Sequence, residues 1–142
     1  LYETRFDSDI RVERFRANAV YNCDTGVLSR NLVPLLFDME KARAVEFGAS
    51  MGLLILRFRH ETLSEALEMT RKHMRRTDYL FGLDPGEFLL MLVECSAHGS
   101  EAILQRLKKM IGSRLLSSGY SIYPEQGETV DHLIAEAQGS LV

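Results

Sequence analysis

At 142 residues, 46% of them hydrophobic, the chain can bury one sizeable core and is too short for two, so a single globular domain is expected. Its 17 basic and 20 acidic residues give a net charge of −3. This excludes a surface that binds nucleic acid polymers as a whole and leaves any affinity for a nucleotide to a local cluster. No apolar run approaches the ~20 residues that span a bilayer, and "LYETRFDSDI" lacks the apolar centre of a secretion signal.

Cys23 and Cys95 are far apart and have no metal-ligand spacing, which fits reduced thiols in a cytoplasmic setting. A chain that starts at Leu1 is expected to be a piece of a longer protein, and "DIRVERFRAN", 9–18, reads as a charged lead-in helix with Ile10, Val12 and Phe15 on its apolar side. Asp24 to Gly26 carry turn chemistry. From Leu28 to Phe47 the residues Leu32, Leu35, Leu36, Met39, Ala42 and Val45 recur at spacings of three and four, which predicts a core helix with those residues inside. "MGLLILRF", 51–58, predicts a central strand buried on both faces. Thr62 to Arg76 predicts a second helix through Leu63, Ala66, Leu67, Met69, Thr70 and Met74.

"YLFGL" and "EFLLMLV" flank Asp84, Pro85 and Gly86, a hairpin signature in which proline and glycine supply the turn. A third long helix is expected from His98 to Leu116, with Ile103, Leu104, Leu107, Met110 and Ile111 inside. "GYSIY", 119–123, is the last strand, and Thr129 caps a terminal helix reaching Leu141. The order is α, β, α, β, β, α, β, α. Its middle six elements form a split ferredoxin-like βαββαβ core, a sheet covered by helices on one face, so the fold class is α+β, an α/β sandwich with added helices.

In that order, three stretches resemble a known family, the GGDEF domains of bacterial diguanylate cyclases. "DTGVLSRN", 24–31, resembles the opening D-x-L-T-G-L-x-N-R with one apolar position rearranged. "RRTDYLFGLDPGEF", 75–88, resembles R-x-x-D, five residues, then G-G-D-E-F. "GYSIYPEQGETVDHLIAEA" resembles the closing strand, turn and helix. The resemblance covers residues 20–142, with 1–19 as a lead-in from a preceding region, and implies a nucleotide-cyclase-like fold.

The departures bear on activity. In the family two hairpin glycines let the backbone approach GTP, and a carboxylate at the third position, with another at the end of the first strand, holds a divalent metal. Here the hairpin positions are Asp84, Pro85 and Gly86, and the strand-end position falls at Arg57. Pro85 removes an amide donor and adds bulk, Gly86 has no carboxylate, and a cation at Arg57 repels a metal that needs oxygen ligands. Nothing in "FRHETLSEA" matches the family's base-contacting stretch. The expectation is a domain that is not an enzyme, needs no cofactor or metal, and retains Glu87 as a turn anchor and Phe88 as an inward strand residue.

Arg75 and Asp78 keep the R-x-x-D arrangement, which the resemblance assigns to the inhibitory site for cyclic di-GMP. Arginine donates in a fork to guanine O6 and N7 or to a phosphate, and a carboxylate accepts from guanine N1 and N2 hydrogens. Placed at a helix end, a spacing of three puts both on one side. The family adds an arginine from the following helix, for which Arg106 is the first candidate and Arg114 the second; Arg76, with Arg71, could add phosphate contacts. Set against this, an Arg and an Asp three apart on a helix are ordinarily a solvated pair worth ~0.3–0.5 kcal/mol.

His60, His73, His98 and His132 share no metal spacing and read as surface residues. Met69, Met74, Met91 and Met110 read as core filler, Lys108 and Lys109 as a solvated face, and Cys95 as a thiol with no activating base. The resemblance thus implies a non-catalytic cyclic di-GMP receptor of the PelD type. Such a domain would be the cytoplasmic part of an inner-membrane protein, reporting to other domains and to a membrane-bound polysaccharide export complex, and so regulating exopolysaccharide and biofilm output. The alternative is an interaction or dimerisation module with no nucleotide ligand.

Overall fold

A computed structural model describes residues 27–142. The expected lead-in helix at 9–18, the turn at 24–26 and Cys23 lie outside them. In chain order the elements are α1 (Val33–Phe47), β1 (Met51–Phe58), α2 (Leu63–Lys72), β2 (Tyr79–Asp84), β3 (Glu87–Leu92), α3 (Ala97–Ile111), β4 (Leu115–Tyr123) and α4 (Val130–Gly139). The strands form one sheet in the order β2-β3-β1-β4, with every neighbouring pair antiparallel. That is the ferredoxin-like arrangement expected of βαββαβ, framed by two further helices.

β1 is buried at every position except Arg57, because it lies at the centre of the sheet with helices on both sides. Leu54, Leu56 and Phe58 point with Leu80, Phe88 and Leu90 toward α2 and α3, where Leu67, Leu104 and Leu107 meet them. Leu53 and Ile55 point the other way with Phe81, Leu89 and Met91, toward Leu36 and Phe37 of α1 and Leu133 of α4. The middle six elements cover one face as expected, and the flanking helices close the second, so the sheet is a filling between two helical layers. Each buried Leu or Phe stabilises this sandwich by about 1.5–3 kcal/mol.

Three predicted helices are shorter than expected. α1 starts at Val33 after a 3-10 turn at Arg30–Leu32, because Leu28 is extended and bridges Phe81 at the sheet edge. Its buried face also differs. Val33, Leu36, Phe37, Glu40 and Ala44 are inside, while Leu35 is 44% and Val45 66% exposed and Ala42 is exposed. A leucine-rich helix has apolar residues on more than one side, and the face chosen is the one that brings Glu40 to the hydroxyl of Tyr79, which donates to Oε2 at 2.7 Å.

α3 stops at Ile111 rather than Leu116, because Gly112 takes a φ of 62° that ends the helix and frees Leu115 to begin a nine-residue β4, longer than "GYSIY". α2 ends at Lys72, and the chain turns through His73 and Met74 before Arg75. Thr129 caps α4 by accepting from the His132 amide. The β2–β3 hairpin turns on Pro85 and Gly86. Gly86 has φ 78°, the left-handed position that follows a proline in a type II turn.

Candidate functional site

The two ends of the sheet are built differently. At the hairpin end, Arg57 and Glu87 are direct cross-strand partners. The Arg57 Nε lies 2.7 Å from Glu87 Oε2, and Gln138, at the end of α4, donates to Oε1 at 3.0 Å. Both oxygens of a nearly buried carboxylate are therefore satisfied by the protein itself, and the charge is neutralised by a guanidinium. The Phe58 amide donates to the Gly86 carbonyl, stitching the hairpin to the end of β1.

Asp84 is exposed and pairs with Arg30 at 3.5 Å. These residues suit a divalent ion poorly: the end of β1 carries the Arg57 guanidinium, Gly86 has no side-chain oxygen, and each Glu87 oxygen already accepts a hydrogen bond. Among the described residues no group of three or more His, Cys, Asp and Glu side chains could hold a metal.

At the other end, five to six strand residues or ~17–20 Å away, lie Arg75 and Asp78. They are not on a helix. α2 has ended, and the two residues bracket a turn closed by the Asp78 amide donating to the Arg75 carbonyl at 3.1 Å. The Asp78 side chain is 2% exposed and that of Arg75 46%. Asp78 Oδ2 accepts from the Arg75 amide at 2.9 Å and from its Nε at 3.2 Å, and Oδ1 accepts from Nη2 at 2.9 Å.

Nη2 also donates to the Val93 carbonyl at 2.6 Å. The pair is thus a buried carboxylate aiming a half-exposed guanidinium, not a solvated surface pair. The hydrogen bond to Asp78 raises the Arg75 pKa above its ordinary value, against the lowering effect of partial burial, and the nearby charges of Asp78, Cys95 and Glu94 add to the rise. Nη1 has no hydrogen-bond partner among the described residues, so its two N–H donors remain available on a half-exposed side chain.

The remaining arginines are placed as follows. Arg76 is exposed in the same turn. Arg106 is exposed on α3, and no hydrogen bond or ion pair ties it to Arg75 or to any other described residue. Arg114 is occupied elsewhere: its Nε is 3.0 Å from Glu65 Oε2, and Nη1 donates to the Ile111 carbonyl. Glu65 is in the first turn of α2 and Arg75 follows its last, so about 15 Å of helix separates Arg114 from Arg75. The geometry brings Arg75, Asp78 and Arg76 together and leaves Arg114 at the far end.

The sequence reading overlooks four participants. Gln138 and the Val93 carbonyl reach their partners only through the sheet. Phe47 and Glu94 line an open pocket of about 580 Å³ that runs from Phe47 to Ser50 on one wall and from Glu94 to Ser96 on the other. Glu94 holds a φ of 47°, in the left-handed region that a residue with a side chain seldom adopts, and no local signal announces it. The four histidines are exposed, and Cys95 is buried with its thiol 3.4 Å from the Ser100 hydroxyl.

No protein-family profile matches the sequence, and no curated protein does. Solved structures do match. A sensory box/GGDEF family protein from Caulobacter crescentus superposes with a TM-score of 0.72 at 21% identity, over 86% of this chain and 95% of that one. The GGDEF domain of DgcB from the same organism, solved in complex with cyclic di-GMP, gives 0.75 at 16% identity over 86% and 85%. Diguanylate cyclase SiaD of Pseudomonas aeruginosa, solved with its activator SiaC, gives 0.76 at 18% identity over 98% of this chain and 64% of its own. The architecture described above matches the fold of these GGDEF-domain structures.

Proposed function

We propose that this domain is a non-catalytic receptor for cyclic di-GMP, with Arg75 and Asp78 as the anchor of its ligand site. The observation that carries the reading is the contrast between the two ends of the sheet. At one end Arg57, Glu87 and Gln138 satisfy one another, Gly86 has no carboxylate to give a metal, and Pro85 interrupts the glycine pair that would admit a triphosphate. At the other end buried Asp78 holds a half-exposed Arg75 with two donors free, an arrangement suited to a guanine edge or a phosphate. Arg76 supplies further positive charge, and Arg106 is an exposed, uncommitted arginine on the following helix. A cyclic di-GMP complex of the DgcB GGDEF domain, which shares the fold, supports the choice of ligand.

The finer reading rests on the resemblance of a degenerate hairpin beside an intact R-x-x-D to receptors of the PelD type. On it, the bound state is reported to neighbouring domains of a longer, inner-membrane protein and onward to polysaccharide export, setting biofilm output. Among the described residues no helix is long and apolar enough to cross a membrane.

The test is calorimetric titration of the domain with cyclic di-GMP, beside Arg75→Ala, and a parallel assay of GTP turnover with magnesium and manganese. The reading expects saturable binding abolished by Arg75→Ala and no cyclic product. Binding that survives Arg75→Ala, or GTP converted to cyclic di-GMP, overturns it. Absence of any heat from folded wild type would favour an interaction module instead.

A further inference from the structure

Glu94 stands where the chain leaves β3 for α3, and the register of the sheet explains its conformation. β3 pairs with β1 through Leu92 and Gly52. Two residues further on, an unbroken ladder would set Glu94 opposite Ser50, but the amide that donates to the Ser50 carbonyl, at 2.9 Å, is that of Cys95. One extra residue has been taken up on the β3 side. Val93 and Cys95 are both buried, so Glu94 between them absorbs the change of direction, with a φ of 47°. A single extra residue in the left-handed conformation is the form of bulge in which glycine is usual, and such bulges re-aim the groups beside them.

The group re-aimed here is the Val93 carbonyl. On the other edge of β3, Met91 pairs with Tyr79, so the residue in register with Val93 is Thr77, which lies in the Arg75–Asp78 turn before β2 begins. In place of a strand amide, the Val93 carbonyl accepts from Arg75 Nη2 at 2.6 Å. Asp78 takes Nε on Oδ2 and the other Nη2 hydrogen on Oδ1. The guanidinium is thus held from two sides, by a carboxylate on its own turn and by a carbonyl on the neighbouring strand, and the direction of Nη1 depends on both anchors.

Resting on the receptor reading above, we propose that Glu94 is a positioning residue of the ligand site and acts through its main chain. Its left-handed turn aims the Val93 carbonyl at Arg75 Nη2 and so fixes the direction in which Nη1 meets cyclic di-GMP. The role asks nothing of the Glu94 carboxylate. It asks for a residue that can hold a positive φ, which glycine does without steric cost and a β-branched side chain does worst. Replacing the carboxylate also leaves the cation in place, because arginine stays protonated with or without a neighbouring acid.

The experiment compares wild type, Glu94→Gly, Glu94→Gln, Glu94→Val and Arg75→Ala in the whole chain. Two quantities are read: affinity for cyclic di-GMP by calorimetry and, without ligand, the exchange with water of the Arg75 Nε–H by NMR, which reports how firmly the guanidinium is held. Glu94→Gly and Glu94→Gln should match wild type in both. Glu94→Val should weaken cyclic di-GMP about five- to thirtyfold, the cost of forcing a left-handed conformation on a residue that resists it, and should speed the Nε–H exchange. If Glu94→Val does not fold, Glu94→Thr, β-branched but smaller in apolar bulk, makes the same comparison. Glu94→Gly as weak as Glu94→Val would overturn the proposal, since the carboxylate and not the main chain would then matter. If Arg75→Ala abolishes binding while Glu94→Val binds and exchanges as wild type, the aiming role is overturned and the receptor reading stands. If folded wild type binds no cyclic di-GMP, the receptor reading falls, and the Nε–H exchange decides the rest: unchanged in Glu94→Val it overturns the aiming role, faster it upholds the hold of this turn on Arg75.

Discussion

The Arg57 guanidinium lies across the sheet from Glu87, its Nε 2.7 Å from Oε2, at the position where the β2–β3 hairpin meets the end of β1. The internal cation satisfies a carboxylate that is nearly buried, and Gln138 satisfies its other oxygen. Removing Arg57 leaves Glu87 charged and short of a partner in a poorly hydrated place. Arg57→Ala should therefore destabilise the domain by about 1–3 kcal/mol, more than Glu87→Gln, which gives up the charge along with the ion pair. Urea unfolding of the two variants measures the difference. Equal stability of Arg57→Ala and wild type would mean that the pair is decorative. Arg57→Asp, even if folded, should produce no GTP turnover, because Gly86 brings no second carboxylate.

Arg75 and Asp78 should separate in their effects on stability. Asp78 is buried and accepts three N–H groups from a single residue, including the backbone amide that opens the turn. Asp78→Ala leaves that amide without its acceptor and unravels the approach to β2, at a cost of about 1–3 kcal/mol. Arg75→Ala removes a half-exposed side chain and leaves Asp78 the amide, so its cost in stability should be the smaller of the two. Both should lose cyclic di-GMP, with contacts of this charged kind costing about 2–5 kcal/mol of affinity. Thermal unfolding run beside the titrations distinguishes a lost contact from a lost turn. An Asp78→Ala variant as stable as Arg75→Ala would refute the positioning role.

Tyr79, next to Asp78, ties the same turn to α1 by donating to Glu40 at 2.7 Å, with Arg43 Nη1 at 3.5 Å from the other oxygen. Tyr79→Phe keeps the ring and its stacking on Phe81 but removes the donor from a buried carboxylate. The expected loss is about 1–3 kcal/mol in the urea midpoint, with Glu40→Gln milder because a neutral amide is cheaper to leave in place. Faster amide hydrogen exchange at Asp78 in Tyr79→Phe would show that the link reaches the Arg75–Asp78 turn. Unchanged stability would show that Arg43 alone suffices.

Glu40 also shows where the sequence is readable and where it is not. β1, the hairpin and the cap at Thr129 are local facts: apolar runs, proline before glycine, a hydroxyl three residues before a free amide. They are legible because the cause lies within a few residues. The face of α1 is not, since Leu32, Leu35, Leu36 and Val45 offer more than one apolar stripe and the deciding partner, Tyr79, is thirty-nine residues away. The end of α2 is misread for a related reason. Helix-forming residues continue through Arg76, and what stops the helix is Asp78 gathering the Arg75 amide into a turn. Arg75 and Asp78 are legible as a spacing, but their burial is not, and Glu94 and Gln138 come near Arg75 and Glu87 only through the strands.

Gly119 gives a last test of how the second helical layer is seated. A methyl group there would collide with the Ala137 carbonyl and the Ser140 hydroxyl, so the missing side chain of β4 is what lets the end of α4 lie directly on the strand. Ser140 Oγ accepts from the Tyr120 amide at 3.1 Å in the same place, and Gln138 then reaches Glu87. Because the obstacle includes backbone, α4 must move as a unit to admit a methyl group. Gly119→Ala should cost about 1–3 kcal/mol, as overpacking usually does, and should also release the Gln138 contact. Its effect should then overlap that of Gln138→Ala, so that the double variant is less destabilised than the sum of the single ones. Strict additivity in urea unfolding would mean that α4 absorbs the methyl group without lifting its end from the hairpin.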